Sequence, residues 1–371
     1  MIPVNTPYLG GKEKEYLIEC IDTTWISSEG PFVHRFESEF STFVGREHGI
    51  ACCNGSVALD IAVRALGIGE GDEVIMPSFT IISPAASVVN EGAQPVLVDS
   101  DPVTWQMDAA AIEEKITSKT KAILVVHIYG YPADMDPILA LAQKYNLKII
   151  EDAAEMHGQT YRGKPCGSFG DISTFSFYPN KHITTGEGGM VVVDDPELAE
   201  RCRSLRNLCF LPHQRFVHEE LGWNYRMTNI QAALGVAQLE NIDKVLLKKR
   251  KVGRLYNQLL ADCPNIELPP EKIDYADNIY WVYGFTLSDE FPHNARWVME
   301  QLGKHKIGTR PFFYPMHLQP VFKKRGWFEN ESYPVAERMA ERGLYIPSGL
   351  GITKEQQEQV AETLKEIMRH A

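Results

Sequence analysis

No stretch of this 371-residue sequence is apolar for long enough to cross a membrane; the longest apolar runs are strand-sized. The N-terminal Met1-Ile2-Pro3-Val4-Asn5 has neither a basic nor an apolar region, so no secretory signal is expected. Basic charge is the scarcer sign. Lys and Arg number 37 against 49 Asp and Glu, a formal net charge of −12. Binding to a phosphate backbone needs clustered Lys and Arg. The densest basic stretch, Lys248-Lys249-Arg250-Lys251, falls in a helix-like run from Val245 to Leu260 and reads as a solvated helix face. A nucleic-acid partner is therefore not expected. The seven cysteines are odd in number and show no CxxC or zinc-ligand spacing. Reduced thiols in a cytoplasmic protein, with no metal, fit this pattern.

What is present is the composition of an ordinary soluble globular protein, 44% hydrophobic and 23% charged. From about residue 50 to 195, short apolar runs alternate with helical patterns. Strands are predicted at Glu73–Met76, Pro95–Asp99, Ala122–His127, Lys148–Glu151, Ile172–Phe177 and Met190–Val193. Most are continuous apolar runs, the signature of strands buried on both faces of a parallel sheet. Helices are predicted at Ser56–Leu66 and from a capping Asp136, with Pro137 at the first helical position, to about Tyr145. The alternation predicts an open α/β sheet flanked by helices. Beyond about residue 245 the pattern changes to one or two long helices over Gln238–Leu260, a strand at Tyr280–Leu287, and amphipathic helices at Ala295–His305 and Lys354–Met368. The expected division is a large domain, 1–245, and a smaller α+β domain, 246–371.

Several stretches could carry chemistry. Gly55 and Ser56 stand where a loop enters a helix. Free N–H groups and the helix dipole can bind a phosphate there, and an ordinary capped helix start has the same signature. Ile149-Ile150-Glu151-Asp152-Ala153-Ala154-Glu155 puts acids at the end of an apolar strand, where open parallel sheets bind ligands. Asp152 could face a cationic ring nitrogen or simply cap a helix. Lys181 follows the strand ending at Phe177 and precedes the glycine cluster Gly186-Glu187-Gly188-Gly189. It reads either as a solvated loop lysine or as a Schiff-base lysine. The loop Gly222-Trp223-Asn224-Tyr225-Arg226 suits an interface or simple packing. Arg310, in an extended Pro-bounded stretch ending at His317, could pair with a phosphate or form a surface ion pair.

In this order and spacing the motifs resemble the DegT/DnrJ/EryC1/StrS group of sugar aminotransferases, from about residue 2 to 365. The resemblance implies an aspartate aminotransferase-like fold of type I, with a mixed, mostly parallel sheet. It implies pyridoxal 5'-phosphate as cofactor, held by Lys181. Asp152 aligns with the carboxylate facing the pyridine nitrogen, and Glu155 with a residue near the cofactor's O3′ face. Gly55, Ser56 and Ser176 align with groups around the cofactor phosphate. Asn224 aligns with an Asn reaching that phosphate from the other subunit, which implies a homodimer with shared active sites. Trp25, Ser27, Arg310 and His317 fall in segments of the nucleotide-sugar pocket. The implied reaction moves an amino group from L-glutamate, leaving 2-oxoglutarate, to GDP-linked 4-keto-6-deoxymannose. A UDP- or dTDP-linked 3- or 4-keto sugar is an alternative substrate. Some relatives are 3-dehydratases with His in place of the lysine; counting back from Gly186 puts Lys181, not His182, at that position. Where relatives place an aromatic ring over the cofactor this sequence has Ile81, so either Ile81 or Phe79 is expected to cover the ring.

Overall fold

A computed structural model describes residues 1–211 and 213–370. Its main feature is a seven-stranded sheet: β1 (His48–Cys52), β2 (Glu73–Pro77), β3 (Gln94–Val98), β4 (Thr120–Val126), β5 (Lys148–Asp152), β6 (Ile172–Ser176) and β7 (Gly189–Val193). The order is β1-β7-β6-β5-β4-β2-β3. Strands β3, β2, β4, β5 and β6 are mutually parallel, and β7 pairs antiparallel with both β6 and β1. The sheet is thus mixed and mostly parallel. Its central strands are buried along nearly their whole length, because helices cover both faces.

Helix α1 (Gly55–Ala65) follows β1 directly, with Asn54 accepting the Val57 N–H at 3.0 Å as its cap. Its residues Val57, Ala58, Leu59, Ile61, Ala62 and Val63 are all buried against the sheet. Helix α2 (Met135–Tyr145) corrects the predicted start. Asp134 occupies the cap position, not Asp136, and Pro137 sits at the third helical residue. That place is tolerated because the first turn has no intrahelical acceptors for its N–H groups. The long helical run is two helices, α3 (Asn229–Leu239) and α4 (Ile242–Leu260).

The C-terminal part builds a separate antiparallel sheet from β8 (Ile266–Glu267), β9 (Tyr283–Leu287), β10 (Arg310–Pro311) and β11 (Gly343–Ile346), in the order β8-β9-β11-β10. Helices α5 (Ala295–Lys304) and α6 (Lys354–Arg369) pack on it through Val298, Leu302, Val360 and Leu364. Strand β9 starts three residues later than predicted. Tyr280 has a left-handed backbone, φ +51°, which ends any extension there. Residues 312–339 leave this sheet, and Phe312, Met316, Phe322 and Tyr333 join the core of the large sheet. Among the described residues no helix is long and apolar enough to cross a membrane.

The basic stretch on α4 departs from its reading as a solvated face. Lys249 is buried, at 3% exposure, and donates to the Ser348 carbonyl at 2.7 Å. Its neighbours in sequence are basic, but its own position lies on the buried stripe with Val245 and Val252. Burial pulls its ammonium down to about 7 from an ordinary 10.5. The unfolded chain keeps that proton up to about 10.5, while the folded protein releases it near 7. Stability should therefore rise with pH across that window, by a few kcal/mol. Lys249→Met costs the Ser348 carbonyl its donor at every pH but removes this slope. The stability difference between variant and wild type, measured by denaturant unfolding, should favour the variant most near neutral pH and shrink toward pH 10.5.

Candidate active site

The carboxyl ends of β4, β5 and β6 and the turn from β1 into α1 meet at a cavity of about 600 Å³. Parallel strands converge on ligands at this edge. Gly55, Ser56, Asp152, Glu155, Ser176 and Lys181, all singled out in the sequence, line it together.

One end of the cavity is built for an anion. Gly55 and Ser56 form the first turn of α1, whose leading N–H groups lack helical acceptors. The hydroxyls of Ser56 and Ser83 lie 2.9 Å apart. A Cβ on Gly55 would stand 2.6 Å from the Cβ of Ser176, so only glycine lets the helix start approach the end of β6 this closely. The other end is built for a cation. Asp152 is buried at the tip of β5, and its Oδ1 accepts the Ala154 N–H at 3.1 Å. The residues that follow form turns rather than a helix, so the helix-cap alternative does not apply. Burial raises the Asp152 carboxyl above its ordinary value, with the nearby Lys181 charge opposing.

Lys181 lines the same cavity. Its Nζ is 3.6 Å from Glu155 Oε1 and 4.1 Å from the centre of the Trp281 ring. Burial lowers its pKa, against the pull of Glu155 and Asp152. Burial pushes Glu155 up to about 7, although Oε2 accepts the Tyr129 N–H at 2.8 Å. An amine and a carboxyl that both resist ionisation can pass a proton between them. Thr80 Oγ1 and Asn180 Oδ1, also at this cavity, are buried without partners. Unpaired buried polar atoms are costly unless something fills the site. Anion cradle, desolvated lysine and buried carboxylate together fit a phosphate-bearing aldehyde with a basic ring nitrogen, which is pyridoxal 5'-phosphate.

Ile81 lines the cavity and is 48% exposed, while Phe79 is buried behind it against Phe312, Phe313 and Tyr129. Of the two candidates, only Ile81 is placed to touch a ligand. The structure does not bring the remaining candidates to this cavity. Asn224 is exposed and bridges to Asn207. Trp25 and Ser27 are exposed, their carbonyls accepting from Asn229 at 2.7 and 2.8 Å. Arg310 is exposed, and among the described residues its side chain bonds only to the Thr309 carbonyl, at 3.1 Å. His317 is 1% exposed, with Ser78 Oγ at 2.8 Å on one ring nitrogen and Glu337 at 2.9 Å on the other. His182 is buried with Nδ1 3.4 Å from the His157 carbonyl.

Sequence reasoning missed His127, Trp281 and Tyr345 in the lining. His127 was findable, since it ends a predicted strand at the ligand-binding edge. Its Nδ1 accepts the Ala133 N–H at 3.0 Å, so its Nε2–H donates to Glu151 at 3.1 Å. Glu151 also accepts from the Gly167, Phe169 and Gly170 N–H groups and the Ser173 hydroxyl. Against the opposing effect of full burial, His127 first and then the Gly167 and Phe169 N–H groups hold its carboxyl down at about 2. Tyr345 comes from β11 of the C-terminal sheet and Trp281 from the turn just before β9; both are far away in sequence and had no local signal.

Residues 7–365 match the DegT/DnrJ/EryC1/StrS aminotransferase family. The chain is 45% identical over 367 residues to the GDP-perosamine synthase of Caulobacter vibrioides, covering 99% of this chain and 98% of that one. It is 43% identical over 366 residues to the GDP-perosamine synthase of Escherichia coli O157:H7, again covering 99% and 98%. Among solved structures it is similar to S. venezuelae DesV in complex with a ketimine intermediate, with a TM-score of 0.89 and 34% identity over 97% of this chain and 95% of that one.

Proposed function

The chain belongs to the DegT/DnrJ/EryC1/StrS aminotransferase family, and from that premise we propose that it aminates C4 of GDP-4-keto-6-deoxymannose with L-glutamate, giving GDP-perosamine and 2-oxoglutarate. The observation that carries the reaction type is the desolvated Lys181 amine sharing one cavity with a helix-start anion cradle and the buried Asp152. The GDP-perosamine synthases, matched along nearly their whole length, support the substrate.

Pyridoxal phosphate, when bound, supplies a carbonyl carbon that carries the amino group and a ring that accepts electrons. The chain's residues do the rest. Gly55, Ser56 and Ser176 would hold its phosphate, and Asp152 would face the ring nitrogen and keep it protonated. Lys181, whose ammonium form burial disfavours, would be the nucleophile that anchors the cofactor. Released by the amino donor, its Nζ takes a proton from the donor's α-carbon and later delivers one to the sugar's C4. Glu155 holds or gives up the proton that Lys181 exchanges. The segments carrying Trp25, Ser27, Arg310 and His317 would meet the nucleotide sugar. The same reading divides the chain into a cofactor-binding domain, 1–245, and a smaller domain, 246–371, supported by the separate antiparallel sheet. Seven free cysteines fit a cytoplasmic enzyme.

The test is a panel of GDP-, UDP- and dTDP-linked keto sugars with L-glutamate, read by mass spectrometry. The expected product is a 4-amino-4,6-dideoxy sugar on GDP with one 2-oxoglutarate per turnover. A nitrogen-free product with ammonia release overturns the aminotransferase assignment; turnover confined to UDP- or dTDP-sugars overturns the substrate.

The exposure of Asn224 outside its own chain's cavity supports a homodimer in which it reaches the partner's cofactor phosphate. Mixing Lys181→Ala subunits with Asn224→Ala subunits should then restore activity, since one site of the heterodimer carries both changes and the other neither. Heterodimers that form without regaining activity would show that each site is built from one chain.

A further inference from the structure

A second cavity, of about 400 Å³, lies along the segment that closes the first. Phe313 lines the first cavity, and His317 and Leu318 line the second. Five residues span at most about 18 Å, a distance a nucleoside diphosphate can bridge. The His317 ring is fixed by Ser78, two residues before Thr80 of the first cavity. The far wall of the second cavity is the loop carrying Lys323, Trp327, Phe328, Glu329, Asn330 and Glu331.

That loop is tightly curled. Gly326, Phe328 and Asn330 all have left-handed backbones, with φ of +70°, +60° and +65°. For Phe328 this is a strained conformation of the kind found at ligand clamps. Trp327 is held flat on the buried Phe322, their rings 6.0 Å apart and 11° from parallel. Glu331 is oriented by the Tyr333 hydroxyl, which itself lies 3.0 Å from the Leu97 carbonyl of β3. Glu329 makes no ion pair among the described residues, so its charge is uncommitted.

We propose that this loop seats the guanine base of the nucleotide sugar, and that Glu329 and Glu331 select it; the inference rests on the GDP-sugar reading above. Guanine presents two adjacent donors, N1–H and the 2-amino group, which match carboxylate acceptors. Its O6 and N7 acceptors suit the Lys323 ammonium and the Asn330 amide. The Trp327 ring is taken up by Phe322 and by the Arg325 guanidinium 5.5 Å from its centre, so the half-buried Phe328 ring, edge-on to both Phe322 and Trp327, is the one offered for stacking. Uracil and thymine present a single N–H between two carbonyl oxygens, and a carboxylate set for guanine would repel those oxygens. Adenine places a bare ring nitrogen where guanine has N1–H. The loop therefore rejects the alternatives as well as holding guanine.

The test is calorimetric binding of GDP and UDP to the cofactor-loaded enzyme, comparing wild type with the Glu329→Gln/Glu331→Gln double variant. Gln keeps the size and one acceptor but turns an N–H₂ toward the guanine donors. The wild type should prefer GDP. The double variant should bind GDP about tenfold or more weakly and lose most of its preference over UDP. If the wild type prefers GDP and the variant keeps that preference, the assignment of these residues is overturned and the substrate reading stands. If the wild type prefers UDP, both fall. Should the double variant fail to fold, the exposed Glu329→Gln alone carries the same comparison.

Discussion

Replacing Lys181 with alanine is expected to reduce turnover by about 10⁴-fold or more, the largest effect of any single change in this protein. Two losses combine. The nucleophile that anchors the cofactor disappears, and with it the group that moves protons on the reacting carbons; general acid–base catalysis alone is worth about 10²–10⁴. The fold should survive, because the change removes a buried amine whose charged form burial already disfavours. The variant should keep the phosphate cradle and Asp152 and so still bind the cofactor, but without a covalent link. Borohydride treatment followed by peptide mapping checks this directly. In the wild type the cofactor should be fixed on the Lys181 peptide, and in the variant on none. Label on another lysine would move the catalytic centre elsewhere.

Asp152→Asn is expected to be the next most damaging change, costing several kcal/mol of barrier at about 1.4 kcal/mol per tenfold in rate. Asparagine keeps the shape and can still accept the Ala154 N–H, so the turn after β5 should persist. What it loses is the charge that would keep the ring nitrogen protonated, and without that proton the ring withdraws electrons poorly. Turnover should fall by hundreds of times or more while the melting temperature and cofactor content stay close to those of the wild type. A variant with near-normal turnover would show that Asp152 serves only the turn.

The residues of this site were legible because they sit at the tips of neighbouring strands. A continuous apolar run ending in Glu151-Asp152 marks both a buried strand and the charge at its end, and the next strand leads by a short loop to Lys181. Strand direction then does the assembly, and no long-range information is needed. Trp281 and Tyr345 escape such reading because they reach the cavity only when the second sheet packs on the first. Lys249 escaped because its neighbours in sequence hide its place on the helix; a basic run looks solvated until the helix is given a face. At α2, Asp134 and Asp136 are both acceptable caps, and the pattern alone does not fix the turn at which the helix begins. The first strand was missed for a similar reason. His48–Cys52 is five residues long and runs almost without pause into α1, so its boundary signal is a single Asn.

The left-handed turn at Tyr280 throws Trp281 across the boundary between the two sheets, 4.1 Å from the Lys181 amine. One side of the cofactor's chamber is therefore owned by a part of the protein that folds around a different core. A molecule lodged there would add contacts to both sides of that boundary, beside the packing of Phe312, Met316, Phe322 and Tyr333 on the large sheet. Occupancy at a thousandfold excess over Kd adds about 4 kcal/mol to the assembled form, and the geometry spreads that gain over both halves. Loss of cofactor should thus be felt first as loosening at the seam between them, in faster amide exchange around 279–283, before either sheet shows any change of its own.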